Sequence, residues 1–321
     1  MVLVKNRTQT KNSSLAGLEA YVGNTPLLPL RRVTLSLRPS VQVFAKAEWF
    51  NPSGSVKDRP ALNILQAALA EGQLGPGRRL LDSTSGNMGI AYATFGVALG
   101  IPLTLVMPAN ASPERRMILQ ALGAELILTD PAEGSDGAIR NARKMAAEHP
   151  DLYFYANQYD NPANWEAHYR TTGPEIGAQS GGAVTHFIAG LGTSGTLTGV
   201  GRFLREVNPA VKIIGVQPDQ PFHGLEGLKH MPTAIKPGIY DPAFPNQIVS
   251  VQTEAAHDMV RRLAREEGLF VGISSGAVAL AALQIASTLT EGLVITLFPD
   301  SGHKYLSDPV LWGGRNASTG A

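Results

Sequence analysis

The chain has 321 residues with 27 Lys and Arg against 26 Asp and Glu, so no net field points to nucleic acid or an anionic membrane. It has no cysteine, which removes disulfide frameworks, thiolate metal sites and a cysteine nucleophile together and fits a reducing, cytoplasmic setting. Its length exceeds one small core and suggests two lobes around small-molecule chemistry.

Residues 1–14 carry Lys5, Arg7 and Lys11 among Ser, Thr and Asn with no apolar stretch behind them, and read as the frayed tail of a soluble protein. Beyond them, short apolar runs alternate with helical patterns, the mark of a doubly wound α/β architecture with mainly parallel strands. Strands are predicted at "VQVFAKA", "RRLLDS", "PLTLVMP", "AELILT", "LYFYAN", "THFIAG", "VKIIGVQ", "QIVSVQ" and "LVITLF". Residues 57–72 place Leu62, Leu65 and Leu69 at helical spacing, with Pro60 in the first turn where its missing N–H costs least. Further helices are predicted over 87–99, 113–122, 136–148, 196–207, 253–267 and 276–287. Turn residues in "YDNPANW" put the lobe border near Asp160 and Asn161. The expected division is 45–160 for the N-terminal lobe and 15–44 plus 161–306 for the C-terminal lobe, with tails at 1–14 and 307–321.

Three small-residue loops each precede a helix. After "RLLDS" comes "TSGNMG", where Thr84, Ser85 and Asn87 bring side-chain donors to a helix N-terminus suited to a carboxylate; a plain helix cap is the bland alternative. After "THFIA" comes "GLGTSGTLTG", a glycine loop rich in hydroxyls that suits phosphate. Gly190, Gly192 and Gly195 also satisfy the dinucleotide pattern, with Asp219 after the next strand, so a nicotinamide dehydrogenase stays open on this stretch alone. The third loop, "GISSGAV" at 272–278, reads equally as a close-packed turn. Upstream, "SGSVKDR" sets Lys57 at a helix N-terminus, either as a solvated charge or as a carbonyl-binding amine. The seven histidines are scattered without ligand spacing, and no metal is inferred.

In this order, "GNTPLLPL", "NPSGSVKDRPA", "TSGNMGIA", "NQYDNPANWEAHYRTTGPEI", "GLGTSGTLTGVGRFLRE", "GISSGAV" and "KYLS" resemble the cysteine synthase family, pyridoxal-phosphate enzymes of fold type II. The tryptophan synthase β-like fold of two open-sheet domains is implied with it. "AHYRTTGPEI" and "PTAIKPGIY" resemble its cysteine synthase B branch most. The resemblance implies that Lys57 binds the cofactor covalently and acts as the base, a role that needs its pKa depressed from about 10.4. It also implies that Gly192, Thr193, Ser194, Gly195 and Thr196 hold the cofactor phosphate, Asn87 the ring hydroxyl and Ser274 the pyridine nitrogen. Thr84, Ser85, Gly86, Asn87, Met88 and Gln158 would bind the substrate. Asp300 reads as a strand-end residue near the ring rather than its nitrogen partner.

The implied reaction makes L-cysteine by β-replacement, from O-acetylserine and a sulfur nucleophile, in two half-reactions with ping-pong kinetics. O-phosphoserine as donor and a carrier-protein thiocarboxylate as sulfur source remain alternatives. So do cystathionine β-synthase or serine/threonine dehydratase activity, and a binding module that has lost its chemistry. A homodimer is implied, and a serine acetyltransferase or sulfur-carrier partner is conceivable within the family. Met88 departs from the threonine more usual there, which bears on donor preference. In the loop over the entrance, 216–231, His223, Lys229 and His230 read as solvated charges rather than as a phosphoryl-recognition cluster.

Overall fold

Strand and helix alternate along almost the whole of the computed structural model, which describes residues 17–84 and 86–313. The order begins β1 (Leu27–Pro29), β2 (Val41–Ala47), α1 (Asp58–Ala70), β3 (Arg79–Ser83), α2 (Asn87–Ala98), β4 (Leu103–Pro108), α3 (Pro113–Ala121) and β5 (Glu125–Thr129). It continues with α4 (Gly134–Glu148), β6 (Tyr153–Tyr155), α5 (Ala163–Ala167), α6 (Gly173–Gln179), β7 (His186–Gly190) and α7 (Gly195–Val207). The last elements are β8 (Lys212–Pro218), β9 (Gln247–Val251), α8 (Thr253–Arg262), α9 (Ile273–Thr288), β10 (Gly292–Phe298) and the short α10 (Pro309–Trp312).

The strands form two sheets, ordered β5-β4-β3-β6 and β1-β2-β10-β7-β8-β9. Every pairing is parallel except β1 with β2, at the edge of the larger sheet. Strands buried on both faces explain the near-continuous apolar runs, such as the fully buried Leu103–Pro108. Two helices follow the same logic: α2 and α9 are apolar around most of their circumference and lie inside the packing, whereas α7 buries Leu197, Val200 and Leu204 along one stripe. β2 lies whole in the six-stranded sheet, past the residue-44 limit expected for that lobe's first segment.

Four elements escaped the sequence pattern: β1, α5, α6 and the short α10, which falls in the expected tail. β1 is three residues long and ends in Pro29, tolerated on an edge strand. α5 and α6 flank a wide π turn at His168–Thr172, and Thr171, Thr172, Gly173 and Pro174 look like breakers although Pro174 sits in α6's first turn. A second π turn, Leu263–Glu267, finishes the helix expected to run straight from 253 to 267.

Each sheet has one place where the chain reverses its direction of strand addition. In the smaller sheet β4 and β5 build out from one side of β3, and β6 returns to the other. In the larger sheet β8 and β9 build out from β7, and β10 returns beside it. Loops at such a switch point diverge beyond the strand C-termini and leave a crevice. Here the diverging loops are those after β3 and β6 in one lobe and after β7 and β10 in the other.

Candidate active site

Those four loops line one cavity of about 840 Å³. From the β3 loop come Thr84, Gly86, Asn87 and Met88, and from the β6 loop Gln158; the β7 loop gives Gly192, Thr193, Ser194, Gly195 and Thr196. Lys57 and Ser274 enter from the N-termini of α1 and α9, and the segment after β8 supplies Phe222 to His230 along the mouth. Every sequence-predicted site residue therefore meets the others in one space except Ser85, which lies outside the described residues.

Lys57 is the residue before α1, with helical backbone angles and no side-chain cap on the helix. Burial lowers its amine to about 8, against an upward pull from the charge of Asp300. The positive end of α1 adds in the lowering direction. Asp300 is itself buried at the end of β10, where its Oδ2 accepts from Asn87 Nδ2 at 2.7 Å and from Tyr305 Oη at 3.0 Å. Lys304 Nζ donates to Asn87 Oδ1 at 2.8 Å, so a cation and an anion fix both ends of the Asn87 amide.

The loop after β3 is held from within. Thr84 Oγ1 accepts from Gly86 N and Gly89 N, both at 3.0 Å, and so caps the first turn of α2. Gln158 is anchored by its Nε2 on Ser83 O at 2.7 Å and by its backbone N–H on Asp82 at 3.2 Å. Asp82 is fully buried, and burial pushes its carboxyl up to about 7 despite bonds from Ser83 and Gln158. Met88 turns into the smaller lobe's core as well as lining the cavity, with only 2 % of its surface exposed.

The loop after β7 is braced by the segment that sequence pattern left irregular. Asn164 Nδ2 donates to Gln158 O at 2.7 Å and to Thr193 Oγ1 at 3.2 Å, tying the β6 and β7 loops together. His168 Nε2 lies 3.3 Å from Thr196 Oγ1 while its Nδ1 faces Thr172 Oγ1 at 2.9 Å. Burial holds His168 neutral, well below its ordinary pKa, with Arg59 and Lys57 adding to the effect. Neither residue is singled out by the sequence pattern; only the family-like stretch "NQYDNPANWEAHYRTTGPEI" covers their segment. Replacing Asn164 by alanine is expected to destabilise the protein by about 1–3 kcal/mol, because two buried partners lose a bond. Urea unfolding measures this, and an unchanged midpoint would show that the brace carries no load.

Ser194 adopts a left-handed backbone, φ +70°, immediately before α7, and its buried Oγ has no hydrogen-bond partner among the described residues. A Cβ at Gly192 would stand 2.3 Å from the carbonyl oxygen of Gly227, so only glycine lets the two loops approach. Unfilled donors, three hydroxyls and the start of a 13-residue helix suit a phosphate group. The entrance loop differs from expectation. Lys229 is not a solvated charge: it is 6 % exposed and pairs with Asp136 of α4 at 2.7 Å. An arginine also reaches this loop from outside it, since Arg115 of α3 pairs with Glu226.

A family model described as pyridoxal-phosphate dependent enzyme matches residues 18–300. The chain is 50% identical over 291 residues to a cysteine synthase of Aquifex aeolicus, covering 89% of each protein. It is 40% identical to cysteine synthase B of Escherichia coli over 96% of this chain and 99% of that one. The fold is similar to that of a solved cysteine synthase from Entamoeba histolytica, with a TM-score of 0.87 and 35% identity over 96% of this chain and 94% of that one.

Proposed function

The chain belongs to the pyridoxal-phosphate-dependent enzymes, and we propose that its cavity turns O-acetylserine and a sulfur nucleophile into L-cysteine. Relatives at 50%, 43% and 40% identity along most of the chain support cysteine formation. The observation that carries the reading is the meeting of Lys57, its amine lowered to about 8, with the Gly192–Thr196 loop and Ser274 in one cavity.

The residues present fit the cofactor: the orphaned Oγ of Ser194 and the glycine cradle at 192 match a phosphate, and Lys57 offers a carbonyl-reactive amine. When bound, pyridoxal phosphate supplies a carbonyl for Lys57 and an electron sink that acidifies the substrate α-carbon. In this reading Gly192, Thr193, Ser194, Gly195 and Thr196 grip the phosphate, while Asn87, fixed by Lys304 and Asp300, orients the ring. Thr84, Ser85, Gly86, Asn87, Met88 and Gln158 surround the substrate carboxylate. Lys57 would take the α-proton and later return it, since a depressed pKa leaves a usable neutral fraction near neutrality. Ser274, which lines the cavity, would offer the ring nitrogen a hydroxyl rather than a charge, a choice suited to rapid loss of the β-substituent. A cytoplasmic homodimer completes the reading, as the family resemblance implies; sedimentation tests the dimer.

Ser274→Ala is expected to change stability by only about 0.5–1.5 kcal/mol, whereas Ser274→Asp slows β-elimination by favouring a protonated ring. Stopped-flow absorbance with O-acetylserine separates them, and a wild-type rate in Ser274→Asp would remove Ser274 from the ring. The function itself is tested by incubating the holoenzyme with O-acetylserine, O-phosphoserine, serine and threonine, each with and without sulfide. Cysteine from O-acetylserine and sulfide is expected. A keto acid from serine or threonine, without cysteine in any mixture, would make the chain a dehydratase instead.

A further inference from the structure

Two ion pairs span the cavity mouth, and they differ in how far each is committed. Lys229 is buried against Asp136, whose second oxygen accepts from Ile235 N at 2.8 Å, so that pair is tied into the fold at both ends. Arg115 is as deeply buried, 3 % exposed, but its guanidinium is only partly used. One Nη meets Glu226, its face lies 4.7 Å over the Tyr305 ring, and its buried Nε has no acceptor among the described residues. A Cβ at Gly86 would stand 2.5 Å from that Nε, so the unfilled donor lies against the loop that carries Thr84 and Asn87. Among the described residues no other side chain or backbone group donates to the Glu226 carboxylate, and Glu226 is half-buried at the mouth.

A buried guanidinium with a vacant N–H beside a displaceable carboxylate is arranged to exchange that carboxylate for an incoming oxyanion, which can take two N–H groups at once. We propose that Arg115 reads charge on the group leaving or arriving at the substrate β-carbon, and that Glu226 is its built-in competitor. With Glu226 in place the cavity favours donors without a second anionic group, such as an acetyl ester. A tetrahedral oxyanion has to displace Glu226 first. The same chemistry has two sources, the phosphoryl leaving group of O-phosphoserine and the sulfonate end of thiosulfate as sulfur donor. This inference rests on the cysteine-forming reading above. It also gives selectivity a residue that the entrance loop's own sequence does not contain, because the arginine comes from α3, 111 residues away from Glu226.

The test compares wild-type holoenzyme with Glu226→Gln and with Glu226→Gln/Arg115→Gln. Inorganic phosphate is titrated against cofactor absorbance, and kcat/KM is measured for O-phosphoserine against O-acetylserine with sulfide and for thiosulfate against sulfide with O-acetylserine. Glu226→Gln is expected to tighten phosphate about tenfold and to raise at least one of the two ratios by a similar factor, since one charge-assisted competitor has been removed. Adding Arg115→Gln should cancel both gains. A rise confined to O-phosphoserine identifies the leaving group as the source, and one confined to thiosulfate identifies the sulfur donor. Unchanged ratios in Glu226→Gln overturn the proposal, as do gains that survive in the double variant. Because Glu226 is half-buried its glutamine variant should fold, and unchanged ratios in that variant overturn the proposal even if the double variant does not fold. Should the wild type make no cysteine from any donor, the functional reading fails by itself, and the phosphate titration then judges Arg115 separately.

Discussion

Lys57→Ala lowers kcat with O-acetylserine and sulfide by at least about 10³-fold while leaving the fold intact. The expected loss is large because the proposed function gives one side chain two tasks, covalent capture of the cofactor and proton transfer at the α-carbon, and proton transfer alone contributes about 10²–10⁴-fold. The fold survives because Lys57 makes no side-chain cap on α1 and its burial is unfavourable to its charge. That cost has a pH signature in the cofactor-free protein. The folded amine titrates near 8 and the unfolded one near 10.5, so between these values the unfolded chain binds more protons. Wild-type stability therefore rises with pH across that window relative to Lys57→Ala, and below it the wild type carries the full penalty. Urea unfolding of both cofactor-free proteins at pH 7.5 and 9.5 measures the difference, and parallel pH profiles would refute a depressed amine. Borohydride reduction of the holoenzyme followed by peptide mapping should place the pyridoxyl group on Lys57.

What the sequence made legible was local. Lys57, Asn87, Thr193 and Ser274 stand beside helix starts that follow glycine- and hydroxyl-rich runs, and strand-loop-helix order is written in adjacent residues. β4 and α7 declare themselves through unbroken apolar burial and a single apolar stripe. What escaped joins residues far apart in the chain. Lys229 looked like a solvated loop cation because its partner, Asp136, lies 93 residues earlier. Lys304 orients Asn87 across 217 residues, and Arg115 enters a loop whose own sequence has no arginine. Asn164 and His168 lie where Pro, Thr and Gly imitate a break, and a π turn instead carries the helix on and aims His168 at Thr196. Periodicity cannot report such contacts; the sheet order creates them by bringing both switch points to one crevice.

Gly192→Ala weakens pyridoxal-phosphate binding about ten- to hundredfold. The added Cβ would stand 2.3 Å from the Gly227 carbonyl oxygen, a backbone atom that cannot rotate away as a side chain could. Both strands of this contact are pinned: Leu191 N donates to Val216 O and Lys229 N to Leu191 O, each at 2.7 Å. The clash must therefore displace the loop that sets Ser194 in its left-handed conformation. Overpacking of this kind costs about 1–3 kcal/mol, and each 1.4 kcal/mol is about a tenfold change in affinity. Gly75 is the control, since nothing lies within 4 Å of a Cβ there. Ser194→Ala separates strain from lost contact: its Oγ is a buried orphan in the protein alone, so its removal leaves the cofactor-free protein as stable or slightly more so. On the proposed function the same change removes a phosphate donor, and weaker cofactor binding is the expected result. Titrating each cofactor-free protein with pyridoxal phosphate, beside urea unfolding without it, reads both quantities. Wild-type affinity in Gly192→Ala and Ser194→Ala together would mean that the phosphate is held elsewhere in the cavity.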